Sequence, residues 1–300
     1  MPLPLYVLLN NKDKGFNLLP SEVMSIIDGV DLSLQEDRGL TVSMVLLWNN
    51  KRQNLNLSPS QIMSVVEKSD LSIQNSVGWT LPMYILQYNK ELNFNLSSNQ
   101  IMKVLEKSDL SIKDSDGLTV TMIMLLNNKI QNLGLSSDQI FSIVDKSDFN
   151  LKNSSGGIFP MYILKYNKDH DLNLSPDQIM SVIERSNLYH LNDCGVTMPN
   201  LLLMNNKNQN LNISSDQIMF IFENLRVSFF NNHFAETFLF NFRDQFELSD
   251  NHLYKIMNLF KRNTRRLNHK NNDQIDKILL YSDIRRSTKD KQGSIKTIKV

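Results

Sequence analysis

Alanine occurs once in 300 residues, at Ala235, and cysteine once, at Cys194. A single cysteine excludes a disulfide framework and leaves a reducing compartment open. The near-absence of alanine means that helices here cannot rest on intrinsic propensity, since alanine is the strongest helix former. No apolar run approaches the roughly 18 residues of a membrane span, so a soluble chain without a transmembrane segment is expected. Met1 to Leu9 is apolar but has neither a basic lead-in nor a small-residue cleavage site, so it does not read as a signal peptide. The expected location is cytoplasmic, or a host cell reached without a classical signal. A glycine-rich phosphate loop and a zinc-protease helix are missing, and His170, His190, His233, His252 and His269 fall in no metal-ligand spacing. These absences point away from an enzyme: no catalytic, metal or cofactor-binding residue, no cofactor and no small-molecule substrate is expected.

Asparagine, by contrast, occurs 37 times, a composition that points to an AT-rich genome. The net charge of +1 is unevenly spread. Residues 1–260 carry 20 Lys and Arg against 27 Asp and Glu, a balance of −7, whereas 261–300 carry 12 against 4, a balance of +8. The body is mildly acidic and the end of the chain basic.

The strongest signal is a period of 39 residues. Asp31-Leu-Ser-Leu, Asp70-Leu-Ser-Ile, Asp109-Leu-Ser-Ile, Asp148-Phe-Asn-Leu and Asn187-Leu-Tyr-His open successive copies. A fixed period of this size signals stacked repeats, which act through extended surfaces more often than deep pockets. The array is expected over 1–224, with a partial copy at 1–30 and full copies at 31–69, 70–108, 109–147, 148–186 and 187–224. The partial copy lacks its turn, with Pro2 in the helix-cap column and Leu19 in place of a capping serine.

Each copy reads as turn, short helix, long connector, short helix. Gly39, Gly78, Gly117, Gly156 and Gly195 mark the turn. Thr41, Thr80, Thr119 and Thr197 follow as helix N-caps, with Ile158 breaking the column. In the third full copy Met122, Ile123, Leu125 and Leu126 are the expected inward residues of the first helix. That helix ends at a repeated Asn-Lys pair, Asn50-Lys51 to Asn206-Lys207, which reads as a left-handed C-cap with a cation at the dipole's negative end. Leu133 and Leu135 alternate in the connector. Ser58, Ser97, Ser136, Ser175 and Ser214 each stand three residues before a glutamine, a capping box repeated five times. Pro59 and Pro176 fill the first helical position, and Ile140, Ile143 and Val144 supply the inward face of the second helix. Neither helix is long enough to be stable alone.

At the turn and first helix the copies resemble the ankyrin repeat. Asp70 to Gly78 keeps the family's Asp-to-Gly spacing, and Gly78-Trp79-Thr80 keeps its Gly-x-Thr. The copies depart from the family's 33-residue period by about six added residues. Met44, Met83, Met122 and Met161 replace its His, and larger residues replace its small alanines. The resemblance implies a divergent long-form ankyrin array: an all-α helical-repeat solenoid with turn tips, acting as a non-enzymatic scaffold for a protein partner. Leucine-rich repeats are the competing fold, suggested by Asn-Leu-Asn-Leu-Ser.

The resemblance also implies that a partner meets the turn tips and the outer positions of the first helices. Those positions are Trp48 with Asn49, Gln87 with Tyr88, Leu126 with Asn127, Lys165 with Tyr166, and Met204 with Asn205; Trp79 follows the turn glycine. Tyr88 and Tyr166 stand where the odd copies have Asn, a two-copy alternation. Trp48, Trp79, Gln87, Tyr88, Lys165 and Tyr166 are the candidate protein-binding residues, with packing against the neighbouring copy as the plainer alternative.

After Glu223 the repeat ends. Phe230, Phe234, Phe238, Phe242 and Phe246 recur every four residues, so 225–281 is expected to be a helical cap, or else a docking helix. Residues 282–300 read as a disordered basic tail able to touch nucleic acid or an acidic membrane. Cys194 replaces Arg38, Val77, Asp116 or Ser155 of other copies, a tolerated turn substitution. A host-associated bacterium and an effector role follow by analogy. The alternative function is nucleic-acid or acidic-membrane binding through the tail, with the array as scaffold.

Overall fold

The computed structural model describes residues 3–223, together with 251, 252, 255 and 258. The expected cap and basic tail lie outside the described residues, those four positions apart. The first helices of successive copies are α1 (Leu3–Leu9), α3 (Val42–Arg52), α5 (Leu81–Tyr88), α7 (Val120–Asn127), α9 (Phe159–Tyr166) and α11 (Met198–Asn205). The second helices are α2 (Pro20–Asp28), α4 (Pro59–Lys68), α6 (Ser98–Lys107), α8 (Ser137–Lys146), α10 (Pro176–Arg185) and α12 (Ser215–Glu223). Among the described residues there is no strand, only isolated bridges at turn tips such as Gln35 with Thr41. The all-α helical-repeat class is what the chain adopts. The Asn-Leu-Asn-Leu segments that suggested leucine-rich repeats are connectors between helices.

Packing divides the described residues into two units, one of 3–201 with 207–211 and one of 202–206 with 212–223 and the four later positions. In the first unit α1, α3, α5, α7 and α9 form a continuous row, each packed on the next. A helix with neighbours on both sides and its own partner beneath is buried nearly all round. In α7, Val120 to Leu125 and Asn127 are all buried, while Leu126 is half-exposed. The expected inward set is corrected accordingly: Val120, Thr121 and Met124 belong to the core, and Leu126 does not. Second helices bury one stripe only, as in α8 with Ile140, Ile143 and Val144. Each such side chain, fully buried, is worth about 1.5–3 kcal/mol.

The capping boxes form as the spacing requires. In the third full copy the Gln139 N–H donates to Ser136 Oγ at 3.3 Å and the Ser136 N–H donates to Gln139 Oε1 at 3.0 Å. The same reciprocal pair closes α4, α6 and α10 in the first unit. In the second unit Ser214 and Gln217 do the same for α12. Thr41 and Thr119 cap α3 and α7. Thr80 does not cap α5: its hydroxyl is buried without a partner, and Pro82, two residues on, has no N–H to offer it.

The Asn of the Asn-Lys pair is not a left-handed cap. Asn89, Asn128 and Asn167 have φ of −50°, −51° and −51°, right-handed helical values. Their side chains instead work as buried staples. Asn89 Oδ1 accepts the Leu96 N–H at 2.9 Å, pinning the connector, and Nδ2 donates across to the Gln131 carbonyl of the next copy at 3.3 Å. Asn11, Asn50, Asn128 and Asn167 repeat the arrangement. Left-handed backbone falls in the connector, at Asn54, Asn56, Asn93, Asn95, Asn132 and Asn173 among others. These alternate with buried residues such as Leu55, Leu57, Phe94 and Leu96. Nine asparagines therefore have a conformational reason, because Asn tolerates positive φ better than other residues with a side chain.

Turn tips stack by backbone. Across successive copies the Ser76, Ser115, Ser154 and Asp193 N–H groups donate to the carbonyls of Arg38, Val77, Asp116 and Ser155 at 2.8–3.1 Å. Gly78 has φ +78°, and a Cβ there would lie 2.8 Å from the Asp114 Cα. Glycine is needed twice over, for the turn and for the approach of the next turn.

Candidate protein-binding face

Because the first helices are enclosed, few of their positions reach solvent. In α5 these are Gln87 and Tyr88, in α3 Trp48, Lys51 and Arg52, and in α9 Tyr162, Lys165 and Tyr166. Lys165 is exposed, and Trp48, Trp79, Gln87, Tyr88 and Tyr166 are half-buried.

The structure brings three of the expected residues together with one that the spacing did not single out. Trp48 of α3 meets Tyr88 of α5 edge-on, with ring centroids 5.2 Å apart, and Trp79 meets Tyr84 at the same separation. Trp48 to Tyr84 is 6.2 Å, Trp79 to Tyr88 5.8 Å and Tyr84 to Tyr88 6.0 Å, so the four rings make one connected cluster. Edge-to-face pairs of this kind add about 0.5–1.5 kcal/mol beyond their buried area. Tyr84 forms the floor. It is 8% exposed, and its hydroxyl accepts from Asn75 Nδ2 at 3.1 Å. Burial raises the Tyr84 pKa above the ordinary 10.0, and burial raises that of Tyr88 as well. Both hydroxyls therefore stay protonated at neutral pH. The Arg52 guanidinium stacks on Trp48 with its carbon 4.0 Å from the ring centre.

Lys165 and Tyr166 belong to a second group two copies on. Tyr162 to Tyr166 is 6.2 Å, Tyr166 to His170 4.4 Å, and Lys165 Nζ lies 4.9 Å above the Tyr166 ring. Asn153 Nδ2 donates to the Tyr162 hydroxyl at 2.6 Å, matching the Asn75–Tyr84 pair. Gly157 stands where the first cluster has Trp79, so this group has no indole. Gln87 is tied inward instead, its Oε1 accepting from Asn127 Nδ2 at 2.9 Å. Tyr84 and Arg52 were within reach of sequence reasoning. Each lies four residues from an expected aromatic, Tyr88 and Trp48, hence on the same helix face.

The two-copy alternation extends beneath the surface. Gln53, Gln131 and Gln209 of the odd copies each accept two backbone N–H groups from the end of the preceding first helix, Gln53 from Lys12 and Asp13 at 3.0 and 3.4 Å. The even copies have Leu92 and His170 in that column. Alternate interfaces are thus sealed by different chemistry.

A shallow depression where the first three full copies join is lined by Glu67, Ser69, Asp70, Ser72, Lys107 and Asp109. Two of its carboxylates have partners within their own turns: the Ser72 hydroxyl and N–H donate to Asp70, and Ser111 does the same for Asp109, which lowers both carboxyl pKa values. Among the described residues no group of three or more His, Cys, Asp or Glu is placed to hold a metal ion, and no helix is long and apolar enough to cross a membrane. Cys194 is exposed, its N–H bonded to Asn192 Oδ1 at 3.1 Å within the turn.

No protein-family profile matches the chain, and no curated protein does. Among solved structures, it is similar to a chain from the complex of a predatory endopeptidase of Bdellovibrio bacteriovorus with an immunity protein, at 16% identity and TM-score 0.43, covering 75% of this chain and 99% of that one. It is also similar to an ankyrin repeat protein at 13% identity and TM-score 0.45, covering 74% and 98%. An ankyrin repeat domain from Acinetobacter baumannii matches at 12% identity and TM-score 0.44, covering 73% and 94%.

Proposed function

We propose that this chain is an ankyrin-like, non-enzymatic scaffold that binds another protein along the outer edge of its first helices, with the Trp48–Trp79–Tyr84–Tyr88 cluster as the anchor. The reading rests on one observation above the rest. In a row of helices largely enclosed, the positions that reach solvent include Trp48, Tyr88, Tyr162 and Tyr166, each already ordered against a neighbouring ring. Ordered aromatics lose little side-chain freedom on binding and dominate interface energetics. The finer reading, from composition and analogy, is a bacterial effector whose partner is a host protein.

The test is affinity capture with the full chain from host and bacterial extracts, comparing Trp48→Ala and Tyr88→Ala with the parent at matched circular dichroism. A partner retained by the parent and lost by both variants is the expected result. Undiminished capture by both folded variants would overturn the reading. The alternative, nucleic-acid or acidic-membrane binding through residues 282–300, predicts that deleting them abolishes salt-sensitive binding while the aromatic substitutions do not.

A further inference from the structure

We infer that the face formed by the first two full copies takes an acidic segment of its protein partner, one that carries aromatic side chains among its carboxylates. The inference rests on the protein-binding reading above and adds the chemistry of the partner.

Arg52 is the starting point. Its guanidinium carbon sits over the Trp48 ring, 4.0 Å from the centre, and among the described residues no carboxylate pairs with it. A stacked guanidinium keeps its rim of N–H donors turned outward in a fixed plane, the geometry that engages a carboxylate through two parallel hydrogen bonds. The surrounding charge points the same way. Gln53, next in sequence, holds the backbone of Lys12 and Asp13, and Lys51 Nζ reaches the Glu91 carbonyl at 3.1 Å. The charges beside the rings are thus Arg38, Lys51 and Arg52 against Glu36 and Glu91, with Glu36 already paired with Arg38 at 3.4 Å, in a body that is acidic overall.

The local excess of cations is set beside exposed rings rather than among solvated groups alone. That combination suits carboxylates and an aromatic or other flat apolar group presented together. The second cluster offers less. Lys129 there, the counterpart of Lys51, is paired with Asp171 at 3.4 Å where the first site has Asn93, and no indole is present. The first site is thus the one selective for an acidic segment.

Trp48 and Trp79 are the only tryptophans in the chain, so intrinsic tryptophan emission reads this cluster without a label. The full chain is titrated with a random glutamate–tyrosine copolymer, with polyglutamate, and with a lysine–tyrosine copolymer of matched length. The expected result is an emission change with the glutamate–tyrosine copolymer, weaker with polyglutamate and absent with the lysine copolymer. Arg52→Gln should weaken the first by about tenfold or more, Arg52→Lys by less, and Lys103→Gln, at an exposed lysine of a second helix, should leave it unchanged. Equal response to the two tyrosine copolymers, or an unchanged Arg52→Gln affinity, would overturn the acidic selectivity. The protein-binding reading would still be judged separately, by loss of captured partners in Trp48→Ala and Tyr88→Ala.

Discussion

Substituting Asn89 by glycine separates two accounts of the most regular column in the chain. As a left-handed helix cap, Asn89 would be replaced by glycine at no cost, since glycine adopts positive φ most readily. As a staple, its loss strips the buried Leu96 N–H and Gln131 carbonyl of their partners, and Asn89 itself is only 1% exposed. Each buried group left unsatisfied costs about 1–3 kcal/mol, so losing both partners by Asn89→Gly should destabilise by about 2–6 kcal/mol. With a urea slope of about 3 kcal/mol per molar, that moves the midpoint down by about 0.7–2 M. Asn95→Gly is the internal control. Asn95 has φ +48° and is exposed, so glycine there should change stability by no more than about 0.5 kcal/mol. Equilibrium urea unfolding of the three proteins, followed by circular dichroism, decides the matter. If Asn89→Gly unfolds at the parent's midpoint, or Asn95→Gly is the more damaging, the staple argument is wrong.

Three further outcomes follow from the same geometry. Gly78→Ala should cost about 1 kcal/mol for its left-handed backbone and about 1–3 kcal/mol more for the clash with Asp114; Gly195→Ala, whose added Cβ meets nothing within 4 Å, should show the first loss alone in thermal unfolding. Ser136→Ala should lower stability by roughly 0.5–2 kcal/mol, and an unchanged denaturation midpoint would count against the capping box. Asp70 is held below the ordinary carboxylate value of 3.8, first by the Ser72 hydroxyl and then by its N–H. A lowered folded-state pKa contributes stability that is present above 3.8 and lost as pH falls through the folded value. Ser72→Ala should therefore raise the Asp70 pKa toward 3.8 in a carboxyl NMR titration and weaken the acid dependence of unfolding; an unmoved titration would refute the assignment.

Local interactions were the readable part. The Ser136–Gln139 box depends on atoms three residues apart, and the turn glycines on a single φ, so both follow from residue type and spacing. The alternation of Leu133 and Leu135 likewise survives as alternating burial in the connector. The asparagines were half-read: their link to left-handed backbone holds, but at Asn93 and Asn95 rather than at Asn89. Residue type does not distinguish these positions, because Asn89 bonds Leu96 across the whole connector and Gln131 of the next copy, 42 residues away. Leu126 was misplaced for a related reason. A single helix suggests one buried stripe, whereas α7 lies between α5 and α9 and is enclosed on nearly every side.

For the candidate site, spacing singled out Trp48, Trp79 and Tyr88 but not that they touch. Tyr84 joins them because α3 and α5 pack side by side, turning a repeat position on each helix toward one common surface. Sequence alone determined the period, the helix starts, the turns and the residues available to the outer edge. Only the stacking of one copy on the next decided which asparagines reach across to a neighbouring copy and which rings cluster. The physical reason is range: caps and turns are satisfied within one copy, whereas burial, ring packing and inter-copy hydrogen bonds exist only once two copies meet.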